Sequence, residues 1–381
     1  MSTAQGIRRE TEQSLVMEFG DARMPYLLGS LPLFLEAAAA LQPDCWILIA
    51  DDNPLVLSIV EAICDKLPGP TSLVPFRAGE RAKALRTVED LCRSAIDHGA
   101  TRQSVVVAVG GGTVCNVAGM CAALLYRGIR LVQVPTTLMG MSDVVLSTKQ
   151  GVNLAGVKNG IGTYYIPELV WCDPGVLRTL PAEEIRSGQA ELIKNGLVVT
   201  PDHIPVLRRM LNPRAEYSEP ALTTFVRMAV ESKSRLLRDD PNERHCALVL
   251  EYGHTVGHAL EGLCGGSLSH GYAVALGMRA AAHVACQLGV LGANDVLLHD
   301  ELLSAAGLPL TLPSEQTAHI NHAGVQRSLQ LDNKRGYVQT APSETAMVLL
   351  RSPGDPVLTG SVPLTQVSLP LVVQTAMSVL F

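Results

Sequence analysis

Between residues 24 and 175, short runs of β-branched residues alternate with stretches of helical periodicity. CWILIADD, SLVPF and SVVVAVGGG have the composition of strands, and SIVEAICDKL and RTVEDLCRSAIDHG, which lie between them, have that of helices. The strand runs are apolar on both faces, as in a parallel sheet covered by helices on both sides. The alternation therefore predicts an α/β domain with a doubly wound parallel sheet.

The second half of the sequence has a different pattern. After PAEEIRSG the β-rich runs disappear, and helical periodicity dominates in QAELIKNGLVV, ALTTFVRMAVESKSRLLR, HTVGHALEGL and YAVALGMRAAAHVACQLGVL. We therefore expect two domains, a parallel-sheet domain in residues 1–180 and a mostly α-helical domain in residues 181–381. The apolar C-terminal LPLVVQTAMSVLF is interrupted by Gln374 and Thr375 and is predicted to be a packing helix.

Composition narrows the class of partner and the compartment. A net charge of -6 and the lack of a basic run argue against nucleic acid and favour small molecules. The opening residues contain no apolar core of a signal peptide, and no segment reaches the roughly 18 apolar residues of a membrane span. Nine cysteines without a CxxC pair are typical of reduced thiols. We expect a soluble, cytoplasmic protein with no nucleic-acid or membrane partner.

Two polar or glycine-rich segments follow predicted strands. Gly110, Gly111 and Gly112 stand between a strand and a helix, where backbone N–H groups can approach a pyrophosphate. The segment is not GxGxxG, and a tight structural turn explains the glycines equally well. Asp51 and Asn53, at the end of an earlier strand, could hold ribose or adenine groups or could cap a helix.

A third segment, VPTTLMGMSDVVLSTKQGVNLAGVKNGIGTYYIP, combines charged and amide side chains with glycines. Asp143, Lys149, Asn153, Lys158 and Asn159 provide groups suited to phosphates and hydroxyls. A solvated surface loop is the alternative. Since apolar residues separate the polar ones, unlike in most exposed loops, a binding loop is the favoured interpretation.

The helical half contains a candidate metal site. His254 and His258 are four residues apart in EYGHTVGHALE and so share a helix face. Glu191 and Lys194 share a face of another predicted helix, and His270 begins a third. A zinc-like ion takes carboxylate and imidazole ligands and keeps a position open for substrate, which Glu191, His254 and His270 can satisfy. This leaves His258 for proton transfer, although both histidines of an HxxxH pair can bind one metal, so spacing alone does not assign them.

Many ordered blocks resemble the dehydroquinate synthase-like sugar phosphate cyclases over most of the chain. They are GERAK, GGGTVCNVAG, YRGIRLVQVPTTL, KQGVN, VKNGIGTYYIP, SGQAELIK, EYGHTVGHALE and SHGYAVALGM. The resemblance implies a Rossmann-like N-terminal domain, an α-helical C-terminal domain, NAD and one divalent metal, zinc or cobalt. It also implies oxidation of a ring hydroxyl, phosphate elimination, reduction of the ketone, ring opening and carbocycle closure by aldol addition.

The resemblance also implies roles for individual residues. The metal ligands are expected to be Glu191, His254 and His270, which leaves His258 to contact substrate or phosphate. The expected NAD contacts are Asp51, Asn53, Glu80, Lys83, Gly110, Gly111, Gly112, Asn116, Thr136, Thr137 and Lys158. Catalytic roles are expected for Lys149, Glu251, His258, Asp143 and Lys194, and substrate contacts for Asn159, Lys233 and Lys334. Arg127, in YRG, matches an arginine that reaches the phosphate in the neighbouring subunit, so a homodimer is implied.

Four positions depart from the dehydroquinate synthase pattern. Asn116 replaces an aspartate, Ala247 and Glu251 replace an arginine and an asparagine before YGHT, and Tyr272 stands in HGYAV where HGEAV is usual. Asn116, Glu251 and the KRGYV segment resemble the 2-deoxy-scyllo-inosose synthase branch of aminoglycoside antibiotic biosynthesis, which acts on D-glucose 6-phosphate, whereas Tyr272 matches neither pattern. The alternatives are dehydroquinate synthase itself, an NAD- and metal-dependent alcohol dehydrogenase of the glycerol dehydrogenase type, and an inactive binding protein.

Overall fold

The structure is a computed structural model that describes residues 14–155, 157–317, 320–332, 334 and 336–381. The chain forms two compact units, one of residues up to Leu180 with Ser218–Asn242, the other of Pro181–Tyr217 with Glu243–Phe381. The division expected from the sequence, at residue 180, differs in the segment Ser218–Asn242. That segment belongs to the first unit because it packs against the first strands, where the backbone N–H of Gly20 donates to the carbonyl of Arg238 at 3.0 Å.

The first unit alternates strands and helices along most of its length. Its strands are β1 Ser14–Phe19, β2 Ala22–Leu28, β3 Trp46–Asp51, β4 Thr71–Phe76, β5 Val105–Gly110, β6 Arg130–Pro135, β7 Lys149–Leu154, β8 Val157–Tyr164 and β9 Leu169–Cys172. Its helices are α1 Leu31–Ala39, α2 Pro54–Cys64, α3 Leu85–Asp97, α4 Gly112–Leu124, α5 Leu138–Ser142 and α8 Glu219–Leu237.

Seven of these strands form one sheet in the order β1-β2-β9-β6-β5-β3-β4. All neighbours pair in parallel except β1 and β2, which form an antiparallel edge. Every residue of β5 is buried, as its unbroken β-branched run predicts. Apolar side chains on the two faces of the sheet form separate clusters. The predicted α/β fold class is confirmed.

The second half of the polar segment interpreted as a binding loop is an antiparallel hairpin of β7 and β8, and its binding role stays a prediction. Lys149 lies opposite Tyr164, and Gly151 lies opposite Gly162. A Cβ on Gly162 would lie only 3.0 Å from Cα of Gly151, so the two strands approach closely where neither has a side chain. These two glycines therefore serve strand pairing.

The second unit is mostly helical. Its helices are α6 Ala182–Val198, α7 Ile204–Met210, α9 His254–Leu263, α10 His270–Gln287, α11 Ala293–Ala305, α12 Ser314–Thr317, α13 His322–Leu329 and α14 Leu369–Leu380. Two short antiparallel pairs, which the sequence pattern did not indicate, join β10 Glu344–Met347 to β13 Thr365–Ser368 and β11 Leu350–Ser352 to β12 Asp355–Pro356. Strands of two to four residues carry too little periodicity to be recognised in a sequence.

The C-terminal apolar run forms α14, as predicted. Leu369, Val372, Val373, Ala376 and Leu380 are buried, so one face of this helix packs into the second unit. Among the described residues, no helix has the length and apolarity needed to cross a membrane.

The sheet predicts a large difference between two isoleucines. Ile49 in β3 is fully buried, whereas Ile96 in α3 is 50% exposed. Ile49→Ala should lower the free energy of unfolding of the first unit by about 2–5 kcal/mol, since it leaves a cavity. Ile96→Ala should change it by less than about 0.5 kcal/mol.

Urea unfolding followed by tryptophan fluorescence measures this difference. The chain has two tryptophans, Trp46 and Trp171, and both are buried in strands of the first unit. Equal shifts of the urea midpoint for the two variants would contradict the described sheet.

Candidate metal and cofactor sites

Three side chains of the second unit come together as the sequence suggested. Glu191 lies within α6, and His254 and His270 are the first residues of α9 and α10. One possible ligand atom from each residue lies within 4.8 Å of the others. Oε1 of Glu191 is 3.6 Å from Nε2 of His254 and 3.7 Å from Nε2 of His270. This is a compact group of one carboxylate and two imidazoles.

The geometry and chemistry of this group fit a divalent metal. Ligand atoms about 2 Å from a tetrahedral ion lie roughly 3–3.5 Å apart, close to the distances found here. Glu191 is fully buried, and a buried carboxylate is strongly disfavoured unless cations compensate for it. Lys194 forms an ion pair with Oε2 of Glu191. A carboxylate with two imidazoles is the donor set of zinc and cobalt sites that keep a coordination position open.

Each histidine of the group is also held at its other ring nitrogen. Nδ1 of His254 lies 3.1 Å from the carbonyl oxygen of Tyr252, and Nδ1 of His270 lies 3.3 Å from Oε2 of Glu261. Such partners orient metal-binding histidines and fix the tautomer. Glu261 was missed from the sequence. Its position seven residues after His254, on the same face of α9, was a usable signal.

His258 lies beside this group. Its ring centroid is 5.1 Å from that of His254 and 6.1 Å from that of His270. Burial, followed by the charge of Lys334, lowers the pKa of His258 to about 3, although Glu251 acts in the opposite direction. Burial also lowers the pKa of His254. Both imidazoles are therefore neutral near pH 7.

A second ionic cluster involves two of the predicted residues. Nζ of Lys334 lies 3.5 Å from Oε2 of Glu251 and 2.9 Å from Oδ2 of Asp332. Lys334 is only 1% exposed, so its charge depends on these carboxylates. Burial raises the pKa of Asp332, and Lys334 opposes that shift. Asp332 was missed from the sequence, because its place two residues before a lysine carries no distinctive pattern.

In the first unit, the predicted NAD residues gather at one edge of the sheet. Asp51, the glycines 110–112 and Thr136 lie at or directly after the carboxyl ends of β3, β5 and β6, which are neighbouring strands. In open α/β sheets this edge is where ligands bind. A Cβ on Gly112 would lie 2.9 Å from Cγ2 of Val144, so this turn also needs glycine for packing. Both interpretations of the triple glycine are thus compatible with the structure.

Several of these polar residues also have local structural partners. Oδ1 of Asn53 accepts from the N–H of Leu55 and caps α2, and Oγ1 of Thr137 accepts from the N–H of Gly140 and caps α5. Oδ1 of Asp51 accepts from the N–H of Ala78 at 3.3 Å. The structure therefore shows Asn53 as a helix cap, which was the alternative interpretation. Its expected contact to NAD stays a prediction.

The loop after β4 is tied to the β7–β8 hairpin. The side-chain amide of Asn153 donates to Oε1 of Glu80 at 2.7 Å, and Nζ of Lys158 lies 3.6 Å from the same oxygen. The backbone N–H of Asn153 donates to the carbonyl of Lys83. Glu80, Lys83 and Lys158 are thus brought together. The N–H of Asn159 donates to Oδ1 of Asn153, which places it in the same cluster.

Asn116 connects the glycine turn to the same hairpin. Its amide nitrogen donates to the carbonyl of Gly112 at 3.1 Å, and its Oδ1 accepts from the N–H of Gly151 at 3.3 Å. A carboxylate at this position would have no hydrogen to donate to Gly112. The two hydrogen bonds therefore give a structural reason for an asparagine rather than an aspartate at position 116.

The predicted catalytic and substrate-binding residues of the first unit do not form one cluster. Lys233 of α8 is buried and pairs with Asp143, with Nζ 2.7 Å from Oδ1. Lys149 is exposed at the start of β7. Arg127 is also exposed, but it follows the end of α4, whose 13 residues span about 20 Å from the glycine turn. The structure therefore separates Arg127 from the NAD residues of its own unit.

Comparisons with known proteins agree with this architecture. A family model described as 3-dehydroquinate synthase N-terminal matches residues 73–187, and one described as 3-dehydroquinate synthase C-terminal matches residues 188–356. Together the two models span most of the chain.

Individual relatives agree as well. The chain is 43% identical over 355 residues to a 2-deoxy-scyllo-inosose synthase from Streptomyces fradiae, covering 92% of this chain and 82% of the relative. It is similar to the crystal structure of a 2-deoxy-scyllo-inosose synthase complexed with carbaglucose-6-phosphate, NAD+ and Co2+, with a TM-score of 0.89, 34% identity, and coverage of 96% of this chain and 100% of the other. A 2-epi-5-epi-valiolone synthase from Streptomyces hygroscopicus, 24% identical with a TM-score of 0.79, shares the fold over 94% of this chain and 97% of its own.

These similarities confirm the resemblance found in the sequence motifs. The family models span both units, and the first relative covers nearly the whole chain. The protein therefore belongs to the dehydroquinate synthase-like sugar phosphate cyclase family.

Proposed function

We propose that this chain converts D-glucose 6-phosphate into 2-deoxy-scyllo-inosose and phosphate, using NAD and one divalent metal, zinc or cobalt. The observation that carries the proposal is the pairing of Glu251 with Lys334 in the unit that holds Glu191, His254 and His270. A carboxylate at 251 suits a neutral sugar hydroxyl better than an anionic carboxylate substrate. The similarity to 2-deoxy-scyllo-inosose synthases supports the same substrate.

The cofactors would supply the redox and Lewis-acid chemistry of the reaction. A metal held by Glu191, His254 and His270 would polarise an oxygen on the sugar, and NAD would take a hydride and later return it. The NAD contacts proposed are those at the carboxyl edge of the sheet together with the cluster of Glu80, Lys83 and Lys158. Asn116 would act there by holding the hairpin against the glycine turn.

Residues of the second unit would manage protons and hydroxyl groups. Glu251 would accept hydrogen bonds from sugar hydroxyls or take a proton from one, and Lys334 would stabilise its charged form. A neutral His258 has one N–H donor and one nitrogen acceptor, and would use either of them in a hydrogen bond to the substrate. Lys194, which pairs with Glu191, would provide a positive charge beside the proposed metal ligands.

Residues of the first unit would bind the phosphate group, whose departure as an anion they would favour. Lys149 and Asn159 are exposed and offer an ammonium and an amide. Asp143 would orient Lys233 through their ion pair and thereby act on substrate indirectly. We further propose that Arg127 contributes to the phosphate site of the other subunit in a homodimer, in keeping with its distance from its own NAD residues.

The expected setting of the protein follows from this chemistry. A cyclase that forms 2-deoxy-scyllo-inosose would act in the cytoplasm on a phosphorylated sugar, at the start of a route to 2-deoxystreptamine antibiotics. The nine cysteines, none of which is in a disulfide, fit a reducing compartment.

The proposed metal site makes a prediction about metal content. Three variants, Glu191→Ala, His254→Ala and His270→Ala, each leave two protein ligands. Each should weaken zinc or cobalt binding by more than about a hundredfold, because losing a ligand costs more affinity than losing a residue that only orients a ligand. His258→Ala should retain the metal. Elemental analysis of the purified variants measures the result. Metal loss in His258→Ala with retention in His254→Ala would reverse the assignment of the two histidines.

The proposed shared site predicts complementation between subunits. Arg127→Ala and Lys149→Ala should each be inactive, because each lacks a phosphate contact. Heterodimers purified through two different tags should recover about half of the wild-type activity, because one of their two sites has both residues. Absence of activity in verified heterodimers would refute the sharing of Arg127.

The proposed substrate predicts discrimination against 3-deoxy-arabino-heptulosonate 7-phosphate. Ala247 offers that compound's carboxylate no charge-assisted hydrogen bond. Glu251 shares the single ammonium of Lys334 with Asp332, so this cluster keeps a net negative charge that repels the carboxylate. Each effect costs roughly 1–3 kcal/mol. The ratio of kcat/KM for the two sugar phosphates should therefore favour glucose 6-phosphate by about a hundredfold or more.

The same assay tests the role of Glu251. If this residue takes a proton, Glu251→Gln should lower kcat with glucose 6-phosphate by roughly a hundredfold or more, whereas a residue that only accepts hydrogen bonds should tolerate the change better. Product identification is part of the assay. A preference for the heptulosonate would overturn the substrate assignment, and full activity of Glu251→Gln would remove its proton-transfer role.

A further inference from the structure

The orientation of His254 depends on one backbone carbonyl. Nδ1 of His254 lies 3.1 Å from the carbonyl oxygen of Tyr252. A carbonyl only accepts hydrogen bonds, so Nδ1 carries the proton. Nε2, which faces Glu191 at 3.6 Å, keeps its lone pair for a metal. The direction of the Tyr252 carbonyl therefore sets the direction of this ligand.

The turn that presents this carbonyl has little freedom. Gly253 has a φ of +80°, which L side chains rarely adopt. A Cβ at this position would lie 2.7 Å from Cγ of Met278 and 2.8 Å from the carbonyl oxygen of Val274, both in α10. On the Gly253 side, the turn is thus fixed by direct contact with the helix that begins at His270.

On its other side, the turn is anchored by the ring of Tyr252. The hydroxyl of Tyr252 lies 2.8 Å from Nε2 of His299 in α11, and Nδ1 of His299 lies 2.6 Å from the carbonyl oxygen of Asp295. Nδ1 of His299 must donate to that carbonyl, so Nε2 accepts and the tyrosine hydroxyl donates. Both side chains are fully buried. Burial lowers the pKa of His299 and raises that of Tyr252, which keeps both neutral.

The hydrogen bonds thus form one path with a single possible arrangement of protons. It runs from the carbonyl of Asp295 through the imidazole of His299 to the hydroxyl of Tyr252, and from the backbone carbonyl of Tyr252 to His254. The other proposed histidine ligand, His270, is held directly by the carboxylate of Glu261. A neutral backbone carbonyl attracts an imidazole N–H less strongly than a carboxylate does, so its position must be secured by its surroundings.

We propose that Tyr252 and His299 are positioning residues for the metal centre, which fix the carbonyl that orients His254. The inference rests on the proposed metal site. Loss of the tyrosine hydroxyl leaves the buried Nε2 of His299 without a donor, an arrangement that proteins avoid. The ring and the turn attached to it must then shift to relieve it, and the imidazole of His254 shifts with them.

Cobalt binding by the metal-free protein tests the proposal without any assay of activity. Tyr252→Phe and His299→Leu are each expected to weaken Co2+ affinity about tenfold, measured by competition with a chromogenic chelator. The visible absorption of the Co2+-loaded variants should shift, because the ligand field changes. The double variant should bind Co2+ no more weakly than either single one, since both remove the same link.

Two further variants separate positioning from a general effect on packing. His299→Gln offers a side-chain oxygen to the tyrosine hydroxyl and should keep most of the Co2+ affinity. Tyr165→Phe removes another hydrogen bond from a tyrosine hydroxyl to a backbone carbonyl, that of Ile129 in the first unit, and should bind Co2+ as the wild type does.

The outcomes distinguish the two proposals. Wild-type affinity and spectrum in Tyr252→Phe, with or without a lower melting temperature of the metal-free protein, would overturn the positioning role. Because phenylalanine keeps the ring, this variant decides the matter even if His299→Leu does not fold. A wild-type protein that does not bind Co2+ would instead overturn the proposed metal site.

Discussion

The candidate metal centre depends on backbone-to-backbone contact between helices. A Cβ on Gly257 of α9 would lie 2.9 Å from the carbonyl oxygen of Ala273 in α10, and one on Gly271 of α10 would lie 2.6 Å from the carbonyl carbon of Ser187 in α6. Packed helix axes are usually 8–10 Å apart because side chains separate them. Glycine removes that separation within a few residues of His254, His270 and Glu191. Each ligand can therefore be placed by its helix rather than by a flexible loop.

The parts of this protein that sequence predicts well are those with long, uniform patterns. The buried β-branched runs around Ile49 and Val107 indicate a parallel sheet because they are apolar on both faces and alternate with helical stretches. The strand order is less accessible, since β9 enters the sheet between β2 and β6 only through contacts distant in sequence. The two-stranded hairpin of β7 and β8 was interpreted as a loop because glycines are frequent in loops and occur in these paired strands as well.

The candidate site shows a similar limit. Spacing placed His254 and His258 on one helix face, yet the choice between them depends on where Glu191 lies, more than 60 residues earlier in the chain. That information is not local, and only family motifs supplied it from sequence. Asp332 and His299 were missed for the same reason. Their roles come from partners that a linear pattern does not reveal, a buried lysine and a tyrosine hydroxyl. Glu261 differs, because its place on the same face of α9 as His254 was a usable signal.

The membership of α8 in the first unit has a consequence for biosynthesis on the ribosome. Strands β1 to β9 are all synthesised before the segment Pro181–Tyr217 of the other unit, and only then does Ser218–Asn242 follow. Until that moment Met17 lacks the Ser234 hydroxyl that contacts its sulfur, and Asp143 lacks the ammonium of Lys233. A nascent chain that ends at residue 180 therefore leaves the apolar side of β1 uncovered by α8, and this surface stays open to chaperones or to misassociation until Ser218–Asn242 has left the ribosome.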